Sequence, residues 1–410
     1  MTLREDADQI MKAALKAALP DTAVQKALAG AKFGSGRLVL VAAGKAAWQM
    51  AKTACDVLGD SISDGAVITK YDHAKGDLPH VQVFEAGHPV PDNNSFAATE
   101  RAIDAVKDLT KDDTVLFLLS GGGSALFEKP LISGSDLESL TKQMLASGAD
   151  IVEINTVRKR LSAVKGGRFA QICAPAKVFS VVLSDIIGDP LDMIASGPAY
   201  PDASTCQQAL EIVKKYKLSV TPEIENLLRQ ETPKHLDNVE TQITGSVRQL
   251  CKAAEAESIK LGYTPVTLTA SLCCTARDVG SFLASIARDH QDADHSIAYI
   301  AGGETVVQLT GKGKGGRNQE IALAAAAGIS GLRETAVFSI GSDGTDGPTD
   351  AAGGYCDDNT KQLLAEQGVD IAAVLADNDA YHALEKCGGL IKTGATGTNV
   401  NDLTVLLIKR

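Results

Sequence analysis

Thr114-Val115-Leu116-Phe117-Leu118-Leu119-Ser120-Gly121-Gly122-Gly123-Ser124 decides how this chain reads. The first six residues form a continuous apolar run, the mark of a strand buried on both faces in a parallel sheet. The run ends in a serine and three glycines. Glycine lets backbone approach a ligand closely, and bare amides at a strand end are suited to anions. Pro130 stops any long helix behind this turn.

On either side the pattern alternates. Arg37–Ala42 reads as a buried strand, Lys45–Leu58 as a helix, Ala66–Thr69 and Val81–Glu85 as short strands, and Ser95–Val106 as a helix. Lys177–Leu183 repeats the apolar run and leads into a long acidic loop. Strand and helix in alternation predict an α/β fold with a Rossmann-like, doubly wound sheet. Ile10, Ala14, Leu15 and Leu19 recur at helical spacing before Pro20, so the chain opens with a helix. Between Thr205 and Leu261 the pattern is mostly helical, and Thr264–Thr269 is a strand. A second α/β set follows, with strands at Ile297–Ile300, Thr305–Leu309, Val337–Ile340 and Leu403–Ile408, and helices at Gln319–Ala327, Asn359–Gln367 and Ala380–Lys386. A chain of 410 residues is long for one core. The expected division is 1–240 for the Rossmann-like domain with its N-terminal helix, 241–295 for a helical and strand connection, and 296–410 for a smaller α/β domain.

Composition removes several classes. A net charge of −11 argues against a nucleic-acid binder, whose footprint is a basic face. A nucleotide remains compatible, because local cations and a divalent metal can serve it. No apolar stretch approaches the ~20 residues that span a bilayer, so no membrane partner is expected. The start of the chain carries acids and no apolar signal core. The eight cysteines are scattered without a C-x-x-C, as in a cytoplasmic protein with free thiols. No H-E-x-x-H pairs the histidines, so zinc is not expected.

Candidate chemistry sits at five glycine junctions and an acidic loop. Gly44-Lys45 follows the first strong strand, where the lysine could reach a phosphate or carboxylate, although the junction is not a Walker A motif. Ser120, Gly121, Gly122, Gly123 and Ser124 resemble half of a dinucleotide fingerprint, but Leu126 stands at the third glycine position. Asn155–Arg168 is a basic island: Arg158, Lys165 and Arg168 are spaced to face one anion, or form a solvated face. Asp185, Asp189 and Asp192 follow a buried strand; they suit Mg²⁺, whose ligands are oxygens, or orient a hydroxyl proton, or make a turn. Glu304 is a ligand contact or an edge charge. Gly311–Gly316 carries Lys312 and Lys314 and leads to Arg317 and Asn318; it reads as a mobile loop that closes over phosphates, or as a flexible hairpin. Asp343, Asp346 and Asp350 form a second acidic loop without EF-hand spacing. Gly394-Ala395-Thr396-Gly397-Thr398-Asn399 and Asp402 make a last polar loop.

The segments AAGKAA, SGGGSAL, INTVRKRLSAVKGGR, LSDIIGDPLDMIASGP, GGETVV, GKGKGGRNQE, SDGTDGPTDAAGG and TGATGTNVNDL, in this order, resemble the glycerate 2-kinase family from about residue 5 to the C-terminus. Its C-terminal half is called the MOFRL domain, and some members have carried the label hydroxypyruvate reductase. The resemblance implies a kinase that uses ATP and a divalent metal to phosphorylate the 2-hydroxyl of D-glycerate. It also implies an active site in an interdomain cleft, with Lys45 and Arg317 as the leading catalytic contacts. On that footing the expected roles are these. Lys45 and Arg317 neutralise the transferring phosphoryl group, while Asp185 acts as base or metal ligand beside Asp189, Asp343 and Asp346. Gly44, Ser120–Ser124, Glu304, Lys312, Lys314 and Asn318 hold the cofactor, and Arg158, Lys165 and Asp189 hold the substrate. A homodimer is compatible with this reading. The rivals are an NAD(P)H-dependent hydroxypyruvate reductase, which ordinarily needs a full G-x-G-x-x-G that is missing here, and a non-catalytic nucleotide-binding module.

Overall fold

A computed structural model describes residues 2–410, and the chain forms two compact units. The Rossmann-like unit comprises 23–183 and 189–244. Its strands are β1 (Leu38–Ala43), β2 (Ile62–Lys70), β3 (Gln82–Ala86), β4 (Thr114–Leu119), β5 (Lys177–Leu183) and β6 (Val239–Gly245), in the order 3-2-1-4-5-6. The first five are parallel, and β1 and β4 are buried along their whole length, as continuous apolar strands should be. The strand order reverses between β1 and β4. In doubly wound sheets the ligand crevice lies at that switch, beyond the carboxyl ends of the strands. Gly44-Lys45 and Ser120–Ser124 emerge there. Strand β6 falls where the sequence reads mostly helical, because four of the six residues Val-Glu-Thr-Gln-Ile-Thr are polar and only Thr244 and Gly245 of the strand are buried.

The second unit comprises 2–22, 184–188 and 245–410. Its strands are β7 (Thr264–Leu272), β8 (Ile297–Gly303), β9 (Thr335–Gly341), β10 (Gly353–Asp357), β11 (Leu390–Ile391) and β12 (Asp402–Ile408), ordered 11-10-9-12-8-7. β12 runs antiparallel to both β8 and β9, so this sheet is mixed. The helix Arg317–Ile329 is almost wholly buried, its alanines packing against Leu364, Leu375 and Leu384.

Two expectations are corrected. The opening helix, Leu3–Ala18, packs in the second unit and not in the Rossmann-like one. Ile10, Ala14 and Ala18 join Leu250, Ala254, Phe338 and Val405 in one core. Buried Asp6 fixes the arrangement by accepting from Tyr263 Oη at 2.7 Å and Lys409 Nζ at 2.8 Å. Of the stretch 241–295, residues 245–295 are correspondingly an integral part of that unit, through the helices Val247–Lys260 and Ala276–Asp289 and strand β7, while 241–244 stay in β6 of the Rossmann-like unit. Second, Thr305–Leu309 is no strand: it makes one isolated bridge, Val306 to Thr275, and Leu309 is 82% exposed. The backbone amide of Thr310, next along, is taken by a side chain instead of a ladder.

Candidate active site

In the Rossmann-like unit the β1 and β4 turns lock together. Gly44 has φ +127°, and a Cβ there would lie 2.2 Å from Ser120 Oγ, so only glycine fits. Lys45 N donates to Gly121 O at 2.9 Å, and Ala46 N to Ser120 Oγ at 3.1 Å. Ser120 is therefore a brace, with its side chain spent on the β1 turn. Gly122, in the left-handed region at φ +89°, turns the chain into the short helix Gly123–Leu126. Among the described residues the amides of Gly121, Gly122, Gly123 and Ser124 donate to no protein acceptor. Lys45 is exposed beside them and forms no ion pair among the described residues. Ser124 Oγ lies 3.2 Å from Ser196 Oγ, which in turn donates to Asn155 Oδ1 at 3.0 Å.

The basic island does not face an anion site. Lys165 is fully buried and donates to the carbonyls of Ser124 at 2.8 Å and Phe127 at 3.2 Å, with the buried Glu128 carboxylate 3.4 Å away. Burial pulls its ammonium down to about 8. Arg158 reaches the same Ser124 carbonyl and the same carboxylate, each at 3.4 Å. Arg168 spends one nitrogen on the carbonyls of Lys159, Arg160 and Ser162. Lys165 and Arg158 prop the glycine turn from behind, which does not agree with the expected clamp on a substrate carboxylate. Asp189 has φ +54° and a buried Oδ1 with no hydrogen-bond partner, an oxygen that suits a cation. His88, which the sequence reading passed over, lies against Gly122: a Cβ on that glycine would stand 3.1 Å from its Nε2 and 3.2 Å from Lys45 Cγ. Burial first, then the charges of Lys45, Lys70 and His73, pull its imidazole below the usual histidine range.

In the second unit Arg317 begins its helix held on three sides. Nε and Nη2 meet Asp402 Oδ2 and Oδ1 at 2.5 and 3.0 Å, and Nη1 meets Glu304 Oε1 at 3.0 Å. The Asp402 hydrogen bond raises the guanidinium further above its ordinary range. Glu304 is half-exposed and accepts from Asn401 Nδ2 at 3.3 Å, while Asn401 also donates to the Asp185 carbonyl at 3.2 Å. Arg317, Glu304 and the Gly311–Gly316 segment line a cavity of about 910 Å³, with Val306, Leu309 and Pro348 as apolar wall.

The Gly311–Gly316 loop is not the mobile flap its composition predicts. Thr310 N and Gly311 N donate to Asn378 Oδ1 at 2.8 and 2.9 Å, Lys312 N and Gly313 N to Asp377, and Lys314 N to Asp379 Oδ1. Cβ atoms at Gly311, Gly313 and Gly316 would meet Asp377, Asp379 and Asp346 at 2.3–2.4 Å, so the glycines serve close packing. With five successive amides spent, this loop offers a phosphate little backbone. Lys314 lies over the Tyr381 ring at 4.2 Å; Lys312 is exposed.

Nor do the expected metal carboxylates gather: among the described residues no three such side chains converge on one point. Asp346 is buried and accepts from Asn318 N, Asn318 Nδ2, Gln319 N and Gln319 Nε2 at 2.9–3.3 Å, capping the helix that carries Arg317. Burial outweighs these donors and pushes its carboxyl up to about 6. Asn318 is equally buried, accepting from Ser339 Oγ at 2.5 Å, and cannot meet a cofactor. Asp343 holds its own turn through Thr345 N at 2.9 Å.

Comparison with known proteins places the molecule. A domain of unknown function (DUF4147) matches residues 6–229, and the MOFRL family matches residues 297–402. D-glycerate 2-kinase of Thermotoga maritima is 49% identical over 413 residues, covering 99% of each chain. Glycerate 2-kinase of Pyrococcus horikoshii is 40% identical, covering 100% of this chain and 98% of its own. A crystal structure of the Thermotoga maritima glycerate kinase superposes with a TM-score of 0.94 at 48% identity, over 99% of both chains. With relatives of this identity matching end to end, the chain belongs to the glycerate 2-kinase family.

Proposed function

We propose that this protein transfers the γ-phosphoryl group of ATP to the 2-hydroxyl of D-glycerate, giving 2-phosphoglycerate and ADP. Full-length similarity to relatives named for this activity supports it. The observation that carries it within the molecule is the turn at the β1/β4 switch, where four undonated amides stand beside an unpaired lysine. An anion docked there meets N–H groups and Lys45. In our reading that anion is the glycerate carboxylate or a phosphate oxygen. Arg317, aimed by Asp402 and Glu304, is the second cation and neutralises charge on the moving phosphoryl group. The cavity beside Arg317 has the dimensions of a small-molecule site and takes the nucleotide, its glycine walls and apolar patch accepting a flat base.

Magnesium, when bound, supplies charge neutralisation to the phosphates. The orphaned Oδ1 of Asp189 fits a ligand to it. Asp346 does not fit, since both its oxygens are spent. All eight cysteines are unpaired, in keeping with the cytoplasmic setting we assign; among the described residues no helix is long and apolar enough to cross a membrane.

The test runs two assays on the same enzyme. ADP release from ATP and D-glycerate is expected, together with no NADH oxidation by hydroxypyruvate. NADH oxidation without ADP release would hand the chain to the reductase reading. ATP binding without turnover on any hydroxy acid would leave only a binding module.

A further inference from the structure

The kinase reading needs an acceptor for the proton of the attacking hydroxyl, and three carboxylates of the Rossmann-like unit are already engaged. In the Rossmann-like unit Glu128 is buried between Lys165 and Arg158, Glu85 accepts from the amides of His73 and Ala74, and Asp92 caps the helix Asn93–Val106. We propose that the His88 imidazole is the general base that takes the proton from the glycerate 2-hydroxyl. This rests on the kinase reading and adds a catalytic residue to it.

Three observations support the assignment. His88 lies against Gly122, as does the Lys45 stem, so ring, ammonium stem and open amides belong to one turn. Among the described residues neither ring nitrogen has a hydrogen-bond partner, although the side chain is half-buried. The groups acting on it electrostatically are Lys45, Lys70 and His73; all act with burial to keep the ring neutral, so it is an acceptor at pH 7. His73 is itself tied to the turn, its Nδ1 3.1 Å from Lys45 O.

The step balances. The O2–H proton passes to an imidazole nitrogen, Nε2 being the one nearest Gly122. The freed O2 electron pair forms the bond to the γ-phosphorus. The bond from that phosphorus to the β,γ-bridging oxygen breaks, and ADP leaves with its electrons. The imidazolium then loses its proton to water.

The experiment is the pH dependence of kcat, by ADP release, for the wild type, His88→Gln and His88→Gly. Wild-type kcat should fall on the acid side as one group protonates. A ¹³C-histidine NMR titration of the wild type should show the His88 ring protonating over the same range; this reading does not depend on any variant folding. His88→Gln should lose about 10²–10⁴-fold in kcat, lack the acid limb, and keep its KM for ATP within about twofold. Added imidazole should restore part of the activity of His88→Gly. A His88→Gln enzyme with more than about a tenth of wild-type kcat, or one with the acid limb intact, overturns the proposal. So does a His88 ring that titrates outside the limb. Wild-type enzyme that releases no ADP with D-glycerate would instead overturn the kinase reading itself.

Discussion

Replacing Gly122 by alanine, with Gly148→Ala as its control, isolates the active turn from general backbone strain. Both glycines are left-handed, at φ +89° and +78°. An alanine in that region costs about 1–2 kcal/mol at either position. A Cβ on Gly148 meets nothing within 4 Å. That variant should lose only the backbone strain and keep wild-type turnover. At Gly122 the same methyl lies 3.1 Å from two His88 ring atoms and 3.2 Å from Lys45 Cγ, closer than an ordinary carbon contact. Ring and lysine must each retreat, and they are the groups assigned to the chemistry. A displacement of about 1 Å can cost a hundredfold in rate, so a shift of a few tenths should lower kcat by about tenfold or more. Urea unfolding gives the stability of both variants, and ADP release under saturating ATP and D-glycerate gives kcat. Equal kcat in the two variants would refute the reasoning, because strain would then be the only consequence of the methyl. So would a Gly122→Ala loss confined to stability.

The remaining predictions separate catalytic cations from structural ones. Lys45→Ala should keep the wild-type Tm, since the side chain is exposed and unpaired, while kcat falls by on the order of a hundredfold or more; near-wild-type turnover at saturating substrates would remove Lys45 from the chemistry. Lys165→Met should do the reverse. It leaves the Glu128 carboxylate buried with Arg158 alone, at a cost on the order of 3–5 kcal/mol read from the urea midpoint, and an unchanged midpoint would mean the lysine is no prop. Asn378→Ala should release the amides of Thr310 and Gly311, at about 1 kcal/mol each, raise hydrogen exchange over 310–314 and raise KM for ATP. Unchanged exchange there would show that the loop is held by something else.

How much of this was legible depended on which interactions carry a sequence signature. Thr114–Leu119 was read as a strand with its observed ends, because a fully buried strand needs an unbroken apolar run. Ala380–Lys386 also stands as read. Strand β6 was lost because one face is polar. The place of the opening helix was lost because its apolar stripe says that it packs, not on which core. At the site, Lys45 and the Ser120 turn were visible from strand ends and glycine. His88 was not: a histidine before a proline has no local signature, and its value comes from Gly122, which lies thirty-four positions away. Asp402 was noticed only as part of a polar loop, and its role appears once β12 brings it to Arg317.

Two glycine loops that look alike in sequence have opposite chemistry, and the difference lies in what the backbone has left to give. At Ser120–Ser124 glycine opens amides; at Gly311–Gly316 it lets residues 377–379 close on them. The same logic settles the start of the helix Arg317–Ile329. A helix N-terminus attracts an anion, and this one already has its own, because Asp346 fills the position with both oxygens. Gly316 leaves no slack, since a Cβ there would stand 2.3 Å from the Asp346 carboxyl carbon. Helix dipole and amides are therefore neutralised internally, and what this helix has to offer a phosphoryl group is the guanidinium of its first residue. That in turn explains why Arg317 needs Asp402 and Glu304. A lone arginine on a capped helix would swing freely, whereas two carboxylates at 2.5–3.0 Å fix its plane while leaving it a third exposed.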